Sequence, residues 1–188
     1  GPSQSEFSGI PSWNLENEGV IDKISDLAPS GGEETVTFAT DALYLTEVVG
    51  VVNRIWFANF EYNYQTDLII PEVCLKEDLR DKRVCDIKED KEFFVSGAPI
   101  IVDSVVEETA GKGIMALKSK VRNVGAGKVT LQGTEFSAST DKLSYSLDDS
   151  AWECKSSGKV NEARLRLGEA EILCKLKTAL AENTLSTK

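Results

Sequence analysis

The chain has 188 residues, 41% hydrophobic and 28% charged, which is the balance of a folding globular protein of one medium or two small domains and not that of a disordered one. Its 31 acidic against 21 basic side chains leave a net charge of −10, which repels phosphate backbones and anionic headgroups and argues against a nucleic-acid partner. The chain has no histidine, which excludes Ser-His-Asp and Cys-His nucleophiles, His-ligated zinc and the commonest acid-base catalyst near neutral pH.

In chain order, GPSQSEF (1–7) reads as a cloning scar, a protease-cleavage remnant with its linker, and is set apart from the fold. Val20, Ile21, Ile24 and Leu27 then share one face of a short helix ended by Pro29, or line an irregular segment packed on a sheet. From Thr35 the texture becomes β-branched and aromatic. TVTFAT (35–40), RIWFANFEYNY (54–64) and LIIPEVCL (68–75) read as strands, the last an edge strand or bulge because of its proline. The longest apolar stretch, VVGVVNRIWFANF, is broken by Asn53 and Arg54 and is too short to span a bilayer, so no membrane span is expected in these residues.

Further strands are expected at RVCDIK (83–88), EFFVS (92–96), APIIVDSVVEE (98–108), IMALKSKVRN (114–123), KVTLQG (128–133), KLSYSL (142–147), AWECK (151–155) and EARLRLG (162–168). In IMALKSKV the apolar Met115, Leu117 and Val121 alternate with Lys118 and Lys120, as in a strand with one face on a core. Ile100, Val102 and Val105 break the period of two, which predicts a bulge or burial on both faces. The tail reads as a strand to about Leu176, followed by a helical turn or coil.

Turn signals at SGAP, TAGKG, NVGAG, STDK, LDDS and KSSGK separate these runs at the spacing of a β-sandwich, and the long helices of βαβ units are missing. The expected fold is therefore mainly β, an antiparallel sandwich or sandwiches with a short N-terminal helical or irregular segment. A soft boundary near Lys91 to Pro99 divides it into residues 8–95 and 96–188, with a single larger sandwich as the alternative.

Four cysteines admit three pairings, and sequential pairing, Cys74 with Cys85 and Cys154 with Cys174, closes loops short enough to join neighbouring strands. Structural zinc would ask for pairs two to four residues apart, a redox pair for CxxC, and a cytosolic protein for four buried free thiols. Disulfides are the preferred reading, and they imply an oxidising compartment. KEDLRDKR, between Cys74 and Cys85, then reads as a solvated connection whose charges discourage edge-to-edge pairing.

Trp152 stands two residues before Cys154 on one strand face, which predicts a core indole near a disulfide. Tyr62 and Tyr64 are expected to pack in a core or at a strand edge. Asp148 and Asp149, with Asp86 and Asp90, are candidate oxygen ligands for Ca²⁺, but no D-x-D-x-D-G motif organises them. GAGK lacks the Walker spacing, N-x-[ST] is absent, and no pair of carboxylates stands out for acid-base work.

VDSVVEETAGKGIMALKSKVRNVGAGKVTL, in which an alternating strand runs into Asn123, Gly125 and Gly127 before the next strand, resembles the CARDB-like and other immunoglobulin-like modules of prokaryotic, especially archaeal, surface proteins. YNYQT…VCLK and EARLRLGEAEILCK also look like cysteine-bearing strands of secreted or membrane-anchored archaeal proteins. The likeness implies a sandwich ectodomain used for adhesion, assembly or spacing, at the cell surface or secreted, with a protein or cell-surface partner. It implies no enzymatic activity and no catalytic, cofactor-binding or metal residue. The alternative is a sandwich that binds carbohydrate or a small ligand, with or without Ca²⁺, on a platform including Trp13, Trp56 or Trp152 beside an acidic pocket.

Overall fold

The computed structural model describes residues 1–22, 25, 26, 29–78, 80, 81, 83, 85–87, 90–137, 139–181 and 185–187. It forms two compact units, Gly1–Glu61 and Tyr62–Lys188.

In the first unit a 3-10 turn, Gln4–Glu6, is held by a capping box at its N-terminal end. The Ser3 side chain accepts from Ser5 N–H, and the Glu6 carboxylate accepts from Ser3 N–H at 2.6 Å. Strand β1 (Phe7–Ser8) pairs antiparallel with β2 (Leu43–Tyr44), Phe7 opposite Tyr44. Gly9 turns the chain out of β1 at φ 77°, and a Cβ there would stand 2.3 Å from the Asp41 carbonyl oxygen. Residues of the segment set apart as a scar thus take part in this unit.

The helix expected over Val20 to Leu27 does not form among the described residues: Val20 and Ile21 are exposed, and Ile24 and Leu27 lie outside the described residues. TVTFAT and RIWFANF, expected as strands, run without a ladder. Strand propensity is largely packing against cross-strand neighbours, and among the described residues no strand pairs with these runs.

The second unit is mainly antiparallel β. Its strands are β3 (Leu68–Ile69), β4 (Cys74–Lys76), β5 (Phe94–Val95), β6 (Ile100–Gly111), β7 (Ile114–Asn123), β8 (Asp141–Ser144), β9 (Trp152–Ser156), β10 (Lys159–Val160), β11 (Glu162–Leu165), β12 (Glu169–Leu176) and β13 (Leu185–Thr187). The main sheet has the order β10-β9-β12-β7-β6, and three further pairs are β3-β5, β13-β4 and β11-β8.

Two tight turns, one between β9 and β10 and one leading from β11 into β12, put both central residues at positive φ, Ser157 with Gly158 (49° and 84°) and Leu167 with Gly168 (53° and 82°). That backbone twist matches the flanking strands of a tight hairpin, and each turn supplies glycine at its second position. The Asn123 side chain holds the turn after β7, accepting from Gly125 N–H and donating to the Gly127 carbonyl, each at 3.0 Å.

Side-chain alternation decides which face of the main sheet is dry. Met115, Leu117, Ser119 and Val121 of β7 are buried, while Lys118, Lys120 and Arg122 point to the other side. On β12 the same division separates Ile172 and Leu176 from Glu171 and Lys175. In β6 the register slips between Val102 and Ser104, the bulge that the broken period predicted, and this turns Val105 and Glu107 inward.

The dry face is covered at one end by β8 and β11, whose Leu143, Ala163 and Leu165 pack with Ile100, Val121, Val129, Cys154 and Ile172. At the other end Cys74 and Ile87 pack with Met115 and Leu176. The covering layer is made of two-stranded pairs and irregular chain, not of a second closed sheet.

Several expected boundaries move. LIIPEVCL splits into β3 and β4 around Pro71, and neither the described residues of RVCDIK nor KVTLQG form strand. β12 ends at Leu176 as expected, but Leu185–Thr187 is a strand on β4 where a helical turn or coil was expected. The compact units divide between Glu61 and Tyr62, whereas the sequence placed a boundary near Lys91 to Pro99. The reason is long-range pairing: β13 on β4, the bridge of Asp90 with Val106, and the packing of Cys74 on Leu176 bind residues 62–95 to the later strands.

Candidate functional site

The second unit is held by two disulfides in the sequential pairing. Cys154 and Cys174 lie directly opposite each other on β9 and β12, with Cα atoms 3.9 Å apart, so this bridge joins adjacent strands of one sheet. Cys74 on β4 joins Cys85 in irregular chain with Cα atoms 5.9 Å apart. The first bridge is therefore a strand-to-loop staple and not a link across two strands.

That loop closes around a buried cation. Lys76, two residues after Cys74 and on the same side of β4, is 1% exposed. Its ammonium donates to the carbonyls of Asp81 (2.5 Å) and Cys85 (2.6 Å). Lysine is almost never fully buried unless its donors find partners, and here the stapled loop supplies them. Arg83 clamps Asp81 through both carboxylate oxygens, which with the Arg83 backbone N–H holds the Asp81 carboxyl well below the usual carboxylate range.

Behind Cys74 stands Glu107 of β6, wholly buried. It accepts from Cys74 N–H at 3.2 Å and pairs with the buried Lys91 ammonium at 2.6 Å. Sequence reasoning missed Lys76, Lys91 and Glu107. Charges in a strand normally mark its wet face, and only the bulge at Asp103 and the fold of the loop bring these three inside.

The wet face of the main sheet carries a charge ladder. Lys118 pairs with Glu171 (3.0 Å), Lys120 with Glu169 (2.8 Å), and Arg122 with Asp103 through two hydrogen bonds (2.7 and 2.9 Å). Lys155 pairs with Glu153 (2.7 Å). Hydrogen bonds from Arg122 and Lys155 hold the Asp103 and Glu153 carboxyls below their ordinary values. Over β9, β12 and the end of β11 this face forms a recess of about 860 Å³, rimmed by the Ser157-Gly158 turn. Arg164, Arg166 and Lys175 also line it, and among the described residues their side chains make no ion pair or hydrogen bond.

In the first unit the aromatic residues gather. Trp13 and Trp56 stack with ring centroids 6.0 Å apart and planes 12° apart, and Phe7 contacts both as well as Tyr44. Arg54 lies 5.6 Å from the Tyr44 ring centroid and pairs with Glu6 at 2.7 Å. The Glu6 carboxyl is lowered chiefly by the hydrogen bond from Ser3 N–H.

Trp152 belongs to the second unit, partly buried in the cluster of Cys74, Met115 and Leu176. It shares a strand face with Cys154 but packs beside the other disulfide. Tyr62 and Tyr64 touch at 6.0 Å between centroids, but both are exposed, so the expected core or strand-edge packing does not occur; partial burial raises the Tyr64 hydroxyl pKa.

The acidic candidates do not converge. Asp149 accepts from Ala151 N–H in the turn before β9, and Asp90 bridges Val106. Among the described residues, no three His, Cys, Asp or Glu side chains gather to hold a metal ion. No described helix is long and apolar enough to cross a membrane. No protein-family model, curated protein or solved structure matches the chain.

Proposed function

We propose that this protein is a non-enzymatic, extracytoplasmic module of immunoglobulin-like, CARDB-like sandwich type, part of a secreted or membrane-anchored surface protein and acting through its surfaces in adhesion, assembly or spacing. The observation that carries the reading is the placement of the two disulfides. One locks two interior strands of the main sheet and the other closes a loop over a buried lysine, and each is part of one of the two packed clusters under that sheet. Structural disulfides of this kind persist in oxidising compartments. The one-sided main sheet, dry toward β8 and β11 and charged on its other face, supports the sandwich reading, since each sheet of a sandwich has one dry face.

The test uses intact cells that carry the full-length chain. A membrane-impermeant amine reagent is expected to label the protein, and its four cysteines are expected to resist alkylation until reductant is added. Four alkylatable thiols without reductant, or a chain found neither labelled on the cells nor in their medium, would overturn the reading.

A carbohydrate- or small-ligand-binding role is favoured by one separate observation, the stack of Trp13 on Trp56 with Trp56 half exposed. Quenching of tryptophan fluorescence by a neutral oligosaccharide, abolished in Trp56→Ala, would support it. No cluster of carboxylates among the described residues favours a calcium-assisted version.

A further inference from the structure

We infer that the recess on the wet face of the main sheet binds a linear anionic polysaccharide, through Arg164, Arg166 and Lys175. This deepens the surface-module reading and rests on it. The argument starts from charge matching: the three carboxylates lining the recess, Glu153, Glu169 and Glu171, are each held by a lysine at 3.0 Å or closer. The cations left over are Arg164, Arg166 and Lys175, in a molecule whose net charge is −10. In such a chain a cluster of unmatched cations is a local feature that the overall charge does not explain.

Their placement is regular. Arg164 and Arg166 are two residues apart at the end of β11 and project to the same side, while Ala163 and Leu165 between and beside them are buried. Two residues of strand put their Cα atoms about 6.6 Å apart, so the pair presents two guanidinium groups in a row. Each can hold a carboxylate or sulfate through two parallel N–H donors. Lys175 adds a third charge on β12, and the Ser157-Gly158 turn adds a polar rim suited to sugar hydroxyls.

The class of polyanion follows from the ladder. Under the recess the backbone of β12 is paired on both sides over Leu173, Cys174 and Lys175, and that of β9 at Lys155, so these groups are already used. An acidic peptide lying along them would have no free strand edge to pair with, and peptides are commonly taken up by edge addition. No aromatic side chain lines the recess to stack a nucleic-acid base. A ligand held by side-chain charges and hydroxyls alone, over an open face, is a charged glycan.

The experiment is equilibrium binding of the full chain to polygalacturonate and to dextran sulfate, with neutral dextran as control and poly-glutamate and a single-stranded oligonucleotide as competing classes. Binding to either charged polysaccharide but not to dextran is expected, weakening as salt is raised. The double variant Arg164→Ala, Arg166→Ala should lose about tenfold or more in affinity, and Lys175→Ala less. Lys112→Ala, in the β6-β7 turn, should change nothing. No binding of either charged polysaccharide, equal binding by the double variant, or tighter binding of poly-glutamate or the oligonucleotide would overturn the proposal. Surface labelling decides the compartment independently, so the site and its setting can fail separately.

Discussion

The two units use the same residue types to different ends. In the second, alternating strands put valine, isoleucine and leucine on one face, and residues such as Val105, Met115 and Ala163 are almost wholly removed from water. In the first, no described residue is fully buried, and Val49, Val51, Ile55 and Phe57 are exposed although their run is the most apolar in the chain. Apolar composition alone does not make a core. A core needs a second layer at the right distance, and among its described residues the first unit has a two-residue ladder and the aromatic cluster around Phe7.

The largest expected contrast is in hydrogen exchange. Amides of β7 and β12 should exchange only on global opening, orders of magnitude more slowly than those of residues 48–60. Comparable protection in both would erase the distinction between the units.

Next in size is the buried pair. Glu107→Gln removes a counter-charge of Lys91 in a buried site and should cost about 3 kcal/mol or more of the second unit's stability, read from denaturant midpoints. The first unit's near-ultraviolet indole signal should persist under conditions where that variant is half unfolded. Joint loss of both signals would show one cooperative molecule.

Removing the Cys154–Cys174 bridge by the double alanine change should cost about 3 kcal/mol on the loop-entropy model. Reduction of the wild type should lower the same midpoint. In the opposite direction, Trp56→Ala should abolish the exciton signal of the Trp13–Trp56 stack while leaving the second unit's midpoint within about 0.5 kcal/mol.

The smallest expected effect is the acid limb. Arg122 depresses the Asp103 carboxyl, so its contribution is complete above the ordinary carboxylate range and is lost as pH falls through the lower folded value. Asp103→Asn should therefore flatten the decline of melting temperature below pH about 4, and only for the second unit.

Much of the second unit was legible because its signal is local. IMALKSKVRN reads as a one-faced strand and forms β7 over those residues, and the broken period at Ile100 to Val105 marks the bulge at Asp103. The cysteine pairing followed from loop length. RIWFANF has the same strand texture but no paired strand among the described residues, and texture cannot report a pairing. The chain after Leu176 reads as a helical turn or coil, yet Leu185–Thr187 pairs with β4, more than a hundred residues away in sequence.

The charged stretch VCLKEDLRDKRVCD shows the same limit at a finer scale. Its spacing pointed to a staple, and the staple is there, but its charges read as a solvated connection although Lys76 lies inside the loop it helps to fold.

By itself, then, the sequence determined the period of β7, the broken period of β6, the turn at Ser157-Gly158 and the cysteines available to cross-link, because these depend on neighbours within a few residues, whereas the Leu167-Gly168 turn falls inside the strand expected over 162–168. Only the tertiary structure decided which charges are buried, which cations are left unmatched on the wet face, and where the units divide. Those outcomes depend on which segments meet, and a bulge of one residue is enough to turn Glu107 from solvent to core.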